Sequence, residues 1–281
     1  MKALKCIYFL FLISPLVLNA QDEEPDNSPV SSPWESSILI DNQTVIGPAQ
    51  RELDFTIHHR FSNFEEGISN IYGIYGASNI RLGLDYGITD KLMVGIGTEK
   101  DAKQQELQWK YSILQQTKSG KIPVGLSYFG NMVLDLRDSS FFGTGEMKFA
   151  HRVSYFHQLI ISRKFSKRIS VQVAPCFIYY NAVMPDLNNM HFGVSAGGRY
   201  RVTSGTSIIA EYDQLLTKND ADDIKPNIAF GVEFGTPTHA FRIFCSSYRE
   251  ITHQRNFVYN TNDFFDAGAM IGFNITVRFS I

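Results

Sequence analysis

The chain has 281 residues with 26 basic and 28 acidic side chains, a formal net charge of −2, and three cysteines. The basic residues are scattered, not gathered in stripes, which excludes nucleic acid as an expected partner. Three cysteines supply neither a disulfide framework nor metal-ligand spacing, and the expectation is no cofactor.

The first elements in chain order set the compartment. Lys2 and Lys5 precede an apolar run from Cys6 to Leu18, and Asn19, Ala20 and Gln21 follow. A charged head, an apolar middle and a small residue before the cut describe a secretory signal peptide over 1–20, cleaved near Ala20. The run is shorter than the roughly 20 residues a membrane-crossing helix needs. Cys6 leaves with the leader, so Cys176 and Cys245 are expected as free thiols within strands, and the loss of Lys2 and Lys5 takes the net charge to −4.

Residues 21–50 are rich in Pro, Ser and acidic groups. They read as a periplasmic N-terminal tail, or as a plug tucked into something larger.

From residue 51 onward the pattern is of strands. Twelve segments alternate with period two, at 51–60, 78–88, 91–99, 105–115, 122–136, 147–162, 168–180, 191–202, 206–214, 227–235, 239–249 and 267–281. In the second, Ile80, Leu82, Leu84, Tyr86 and Ile88 share one face while Asn79, Arg81, Gly83 and Asp85 share the other. Several segments reach the 9 to 11 residues that a tilted strand needs to cross a membrane. Links after the even segments are mostly short and those after the odd segments mostly long, the arrangement of outer-membrane barrels. The reading is therefore all-β: a single antiparallel transmembrane β-barrel of about 12 strands over 51–281, with short periplasmic turns and longer extracellular loops. It belongs in the outer membrane of a Gram-negative bacterium. A soluble sandwich also alternates, but strand length, the turn asymmetry and the secretory leader weigh against it.

With the apolar faces outward toward lipid, parity predicts a lumen lined by Asp54, His58, Arg81, Asp85, Lys110, Asp135, Arg152, Arg199, Arg201, Glu211, Asp213, Glu233, Arg242 and Arg278. Seven of these are basic and six acidic, leaving His58 aside. That balance favours pairing across the lumen over a strongly ion-selective field.

Four stretches resemble one family: RELDFTIHHRFSN, SNIRLGLDYGITDKLMVGIG, LQWKYSILQQ, and the closing GFNIT with Arg278 and Phe279. It is an uncharacterised β-barrel family of Bacteroidota, a domain of unknown function, and the resemblance covers roughly residues 40 to 281. Ser62 follows His59, Arg60 and Phe61 where relatives typically carry glycine, and Val277 stands inserted before Arg278. The resemblance implies an outer-membrane barrel and supplies no catalytic residues.

Gly193, Val194, Ser195, Ala196 and Gly197 match G-x-S-x-G. That motif acts only on a strained strand-to-helix turn, and here the alternation runs on through Tyr200 and Val202. The expected reading is a strand whose small lumen-facing residues make room for Arg199 and Arg201. Trp109, Tyr111, Tyr128, Phe149, Tyr155, Tyr179, Tyr200 and Tyr212 fall on the lipid side, where interfacial girdles form. The last long loop carries Phe257, Tyr259, Phe264 and Phe265 and is expected to be the external contact surface.

Two functional readings remain open at this stage. One is a barrel for solute passage or for an envelope binding and structural role, with no enzyme activity. The other is a barrel enzyme acting on lipid, for which Ser195 is the nameable nucleophile. The expected partners are outer-membrane lipid, the barrel-assembly machinery during insertion, and a small polar solute or an envelope protein. The assembly machinery is expected to read the closing strand, with Phe279 and Ile281 on its apolar face.

Overall fold

The computed structural model describes residues 25–142, 147–220 and 223–281. The signal peptide expected at 1–20 lies outside the described residues. Twelve strands run in chain order: β1 Glu52–Asn63, β2 Asn79–Gly87, β3 Leu92–Glu99, β4 Gln104–Leu114, β5 Gly125–Asp135 and β6 Val153–Lys164, then β7 Ile169–Tyr180, β8 Met190–Arg201, β9 Thr206–Leu215, β10 Asn227–Gly235, β11 His239–Ser246 and β12 Met270–Ser280. Each pairs antiparallel with the next, and β12 pairs back onto β1 to close the barrel. Closure leaves no free sheet edge, and ladders run along every seam, interrupted at register shifts in β1 and β4 and beside Pro175 in β7.

The strand count and the closed antiparallel barrel agree with the sequence reading. The boundaries shift where local hydrogen bonds interrupt alternation. The sixth strand begins at Val153, not at 147, because Phe149–Arg152 forms a 3-10 turn in which His151 N donates to Lys148 O at 3.0 Å. The fifth begins at Gly125 because the Ile122 amide is taken by the Thr117 hydroxyl at 3.0 Å. The eleventh stops at Ser246, whose hydroxyl donates to Tyr248 O at 3.1 Å as the chain turns inward. Links 88–91, 165–168, 202–205 and 236–238 are short and gather at one end with the start of β1 and the end of β12. The link 115–124 at that end and the tight 100–103 at the other run against the trend without altering the count.

Alternation gives the wall two unlike faces. Outside, Leu84, Ile96, Val173, Phe192, Ile208, Phe230 and Ile243 are exposed. Inside, the wall is itself divided. From β1 to β4 it carries Asp54, His58, Arg60, Arg81, Asp85, Glu106 and Lys110; from β5 to β9 it mixes apolar Phe129, Val133, Phe156, Ile160, Ala174, Ile178 and Ile209 with polar groups such as Gln158, Gln172, Arg199, Glu211 and Asp213. All of these inward residues are buried, because the lumen is occupied by two other segments of the chain.

The seam between β1 and β12 holds a pair in register. Asp54 stands opposite Arg278, and Arg278 donates to its carboxylate through Nε at 2.7 Å and through a terminal nitrogen at 2.8 Å. Asp54 is completely buried, so a variant lacking the guanidinium strands a carboxylate away from water. Arg278→Ala is expected to destabilise the barrel by about 3 kcal/mol, read as a lower urea midpoint in detergent micelles. An unchanged midpoint would show that the pair contributes nothing to closure.

Candidate functional site

The first segment in the lumen is an N-terminal hairpin. Residues 26–30 run beside the link 115–124 at the short-turn end, with Val30 N donating to Gln116 O at 2.8 Å and Lys118 N to Ser28 O at 3.0 Å. The chain then enters the barrel, and residues 36–45 are buried without interruption. Its turn is closed by Leu39 N to Asn42 O and Thr44 N to Ser37 O, both at 2.9 Å. It leaves by the same end, where Arg51 N donates to Gly87 O at 3.0 Å. Two short arms and a tight turn leave most of its backbone groups unpaired within the hairpin. Buried, these groups require partners.

The wall supplies them from almost every side. Glu211 on β9 accepts the consecutive amides of Ile40 at 2.7 Å, Asp41 at 3.0 Å and Asn42 at 3.1 Å. Asp213 accepts the Asn42 side-chain amide at 2.7 Å and that of Asn227 at 3.2 Å. Lys110 on β4 donates to the carbonyls of Ser37 at 3.0 Å and Ile46 at 2.7 Å. Gln172 on β7 donates to Gln43 O at 2.9 Å, and Ser127 on β5 to Val45 O at 2.8 Å. Asn274 on β12 donates to Ile40 O at 2.5 Å. Trp34, 2% exposed, anchors the entering arm by donating to the Ser162 hydroxyl at 2.8 Å.

Charged side chains of the hairpin meet charged wall residues. Arg60 donates to Asp41 at 2.5 Å and to the Asn274 side-chain Oδ1 at 2.9 Å, while His58 Nδ1 stands 3.4 Å from Asp41. Burial alone would raise the Asp41 pKa, but Arg60 and His58 overcome it and bring it down to about 2. Arg199 donates to Glu35 at 2.5 Å and lies 3.3 Å from Glu233; Arg201, nearer the rim, lies 3.7 Å from Glu35. Arg242 joins Glu233 at 3.0 Å to the Ser36 hydroxyl at 2.5 Å.

The second segment is the link between β11 and β12. It was expected to form the external contact surface, and the structure corrects this: Ile251–Val258 are all buried, with a single helical turn, α1 (His253–Val258), inside the barrel. The physical reason is the apolar half of the wall. His253 lies between the rings of Phe129 and Phe156 at centroid distances of 5.1 and 4.7 Å, and Phe257 packs on Phe156 at 6.0 Å. Burial holds the His253 imidazole below its usual pKa, against the pull of Glu106 and Asp41. Of the four aromatics in this loop Phe257 and Tyr259 turn inward, while Phe264 packs on outward-facing Phe230 at 5.5 Å and Phe265 is 85% exposed. Thr252 donates to Gln104 at 2.6 Å, and Gln254 to Asn131 at 2.6 Å. Asn131 in turn donates to Glu106 at 2.5 Å, which also receives Arg81 Nε at 2.8 Å.

The remaining predicted lumen residues fall in two places. Asp85 accepts from Gln108 on the inner wall. Asp135 closes β5 at the long-loop mouth, buried and paired with Arg137, whereas Arg152 lies off the wall and donates from the 3-10 turn to the carbonyls of Asp135 at 3.0 Å and Arg137 at 2.5 Å. Parity assigned Arg152 to a strand that starts only after it. Arg60, Glu106 and Gln108 were missed, although the same alternation carries them. Glu35 and Asp41 have no periodic signal at all.

Ser195 sits in an unbroken strand, 1% exposed inside the barrel, and receives the Gln158 amide at 3.2 Å. The small residues beside it make room for the inserted segments, not for Arg199 and Arg201. A Cβ on Gly197 would come within 2.8 Å of Leu39, and one on Gly193 within 2.7 Å of Phe257.

The family model described as Membrane bound beta barrel domain (DUF5777) matches residues 34–279, the hairpin included. No curated protein matches the chain. Solved barrels of similar architecture include the KdgM porin (9% identity, TM-score 0.45, covering 82% of this chain and 99% of that one). An outer membrane channel from Pseudomonas putida F1 is 12% identical, with a TM-score of 0.48 and coverage of 83% and 96%. Outer membrane phospholipase A from Escherichia coli is 11% identical, with a TM-score of 0.43 and coverage of 86% and 98%.

The hairpin's dependence on Glu211 can be read from Trp34. Glu211→Ala leaves three buried amides without their acceptor, at about 1–3 kcal/mol each. In a Trp109→Phe background, that variant is expected to shift Trp34 emission to the red and to raise its quenching by acrylamide several-fold. Glu211→Gln, which keeps an acceptor oxygen, should fall between. Unchanged emission in Glu211→Ala would mean that the carboxylate does not hold the hairpin.

Proposed function

The chain belongs to the membrane-bound β-barrel domain family, and from that premise we propose an outer-membrane barrel of a Gram-negative envelope whose lumen is a path for small polar solutes, held shut at rest. The observation that carries this reading is how the lumen is filled. The hairpin enters and leaves by one end, so it withdraws without threading, and it is gripped by wall side chains.

Charge on the wall supports passage over a purely structural filling. Buried ion pairs stabilise a fold less well than apolar packing of the same volume. A lumen meant only to be solid would be better filled by apolar side chains such as Phe129, Phe156 and Ile178. Here Arg60, Lys110, Glu211 and Asp213 satisfy the hairpin while it is seated. Withdrawal would turn them toward water as a polar path.

The lipid-enzyme reading has no comparable support. A serine acting on lipid needs access from the outer face, and Ser195 faces the filled interior. We assign the chain no catalytic residue.

The test is conductance in planar bilayers, with solute-driven swelling of liposomes beside it. The full chain is expected to be closed for most of the recording. A variant with both inserts, residues 34–45 and 250–260, replaced by Gly-Ser linkers should conduct in discrete steps and admit small sugars or amino acids. Silence from that variant, with the strands intact by circular dichroism, would remove passage and leave a structural or binding role in the envelope.

A further inference from the structure

We infer that the two inserts are coupled gates in series, linked through Tyr248, so that drawing the outer one out of the barrel loosens the inner one. The inference rests on the closed-path reading above and adds its regulation. The hairpin comes from the short-turn end and the β11–β12 segment from the long-loop end. They meet on the same two wall groups.

Glu211 is the first shared group. Its carboxylate takes the amides of residues 40–42 on one side and the Tyr248 hydroxyl at 3.5 Å on the other. Arg60 is the second. It donates to Asp41, and its guanidinium lies 4.4 Å from the Phe244 ring centroid and 6.0 Å from that of Tyr248. Tyr248 is 1% exposed and stands at the start of the outer insert, two residues past the end of β11. One aromatic side chain therefore backs both groups that grip the hairpin turn.

The seats are also aligned. Gly193 and Gly197 share the inward face of β8, about 13 Å apart along the strand, and receive Phe257 and Leu39 respectively. Removing the outer insert frees Tyr248 to leave. Glu211 then loses a donor, Arg60 loses an aromatic neighbour, and the turn at 40–42 is held less firmly. By linkage, seating the hairpin must favour seating the outer insert to the same degree.

Amide hydrogen exchange on the full chain in micelles reads each insert separately, with the strand ladders as an internal control. Phe257→Ala unseats the outer helical turn while leaving every hydrogen-bond partner of the hairpin in place, and Tyr248→Ala removes the link itself. In both, the hairpin amides of Leu39, Ile40 and Thr44 are expected to exchange roughly tenfold faster while the strand amides keep their protection. Hairpin exchange unchanged from the parent chain in Phe257→Ala, with Asn256 and Tyr259 accelerated, overturns the coupling. So does unchanged hairpin exchange in Tyr248→Ala. If either substitution disturbs the strand ladder, the other decides. The readout does not involve conductance, so a barrel that never conducts can still have coupled inserts, and a conducting barrel can lack them.

Discussion

Backbone amides that enter a barrel without a ladder of their own must be met by something, and in this lumen the Glu211 carboxylate meets three in a row. Much of the interior follows from that requirement. A hairpin with two arms of a few residues cannot pair its own groups, and there is no reliable water to substitute inside a filled barrel. Acceptors and donors must therefore project from the wall at the heights where the hairpin needs them. Lys110, Gln172, Ser127 and Asn274 each end on a hairpin carbonyl. The polar inner face is in this sense a negative of the hairpin's backbone.

The apolar half of the wall is a negative of the other insert. Phe129, Phe156, Cys176 and Ile178 form a surface that no charged side chain could fill without losing hydration. The β11–β12 loop brings His253 onto Phe129 and Phe156, and its Phe257 and Val258 join Leu39, Ile40 and Trp34 of the hairpin in one buried cluster. The lumen is thus divided by chemistry as well as by depth: hydrogen bonds hold the hairpin across its width, and apolar packing holds the loop against one side. An assembly held mainly by hydrogen bonds to water-capable groups exchanges partners readily when water arrives, because each net bond is worth only about 1 kcal/mol. An apolar seat resists water.

The barrel was legible because a strand facing lipid on one side and polar groups on the other writes its geometry into every second residue. Strand number, closure and the inward placement of Asp54, Lys110, Glu211 and Arg242 all follow from that period. Arg60 and Glu106 lay within reach of the same rule. The errors begin where the period stops. Arg152 was placed by extending alternation into a 3-10 turn, and the loop at 250–266 was sent outward because aromatic loops at a barrel mouth ordinarily meet a partner. Nothing in its own residues says that the wall around Phe129 and Phe156 is apolar within. The signal that did exist lay elsewhere, in strands such as β6, where Phe156 and Ile160 on one face alternate with Leu159 and Ile161 on the other. A strand apolar on both faces is buried on both, so its inner face requires an apolar occupant.

The G-x-S-x-G stretch illustrates the same point in reverse. Its spacing matches a hydrolase elbow because period two and that motif both set small residues two apart. In a strand, small residues at 193, 195 and 197 fall on one face and leave a shallow channel along it. In a barrel filled by its own wall side chains such a channel would be a void, and voids are destabilising. It is tolerated only if something else fills it, and Phe257 and Leu39 do so from opposite ends. A run of inward-facing small residues on a long barrel strand, lacking a helix after it, is therefore better read as the seat of an inserted segment than as a nucleophile. The chain carries two such segments, and β8 is where both are received.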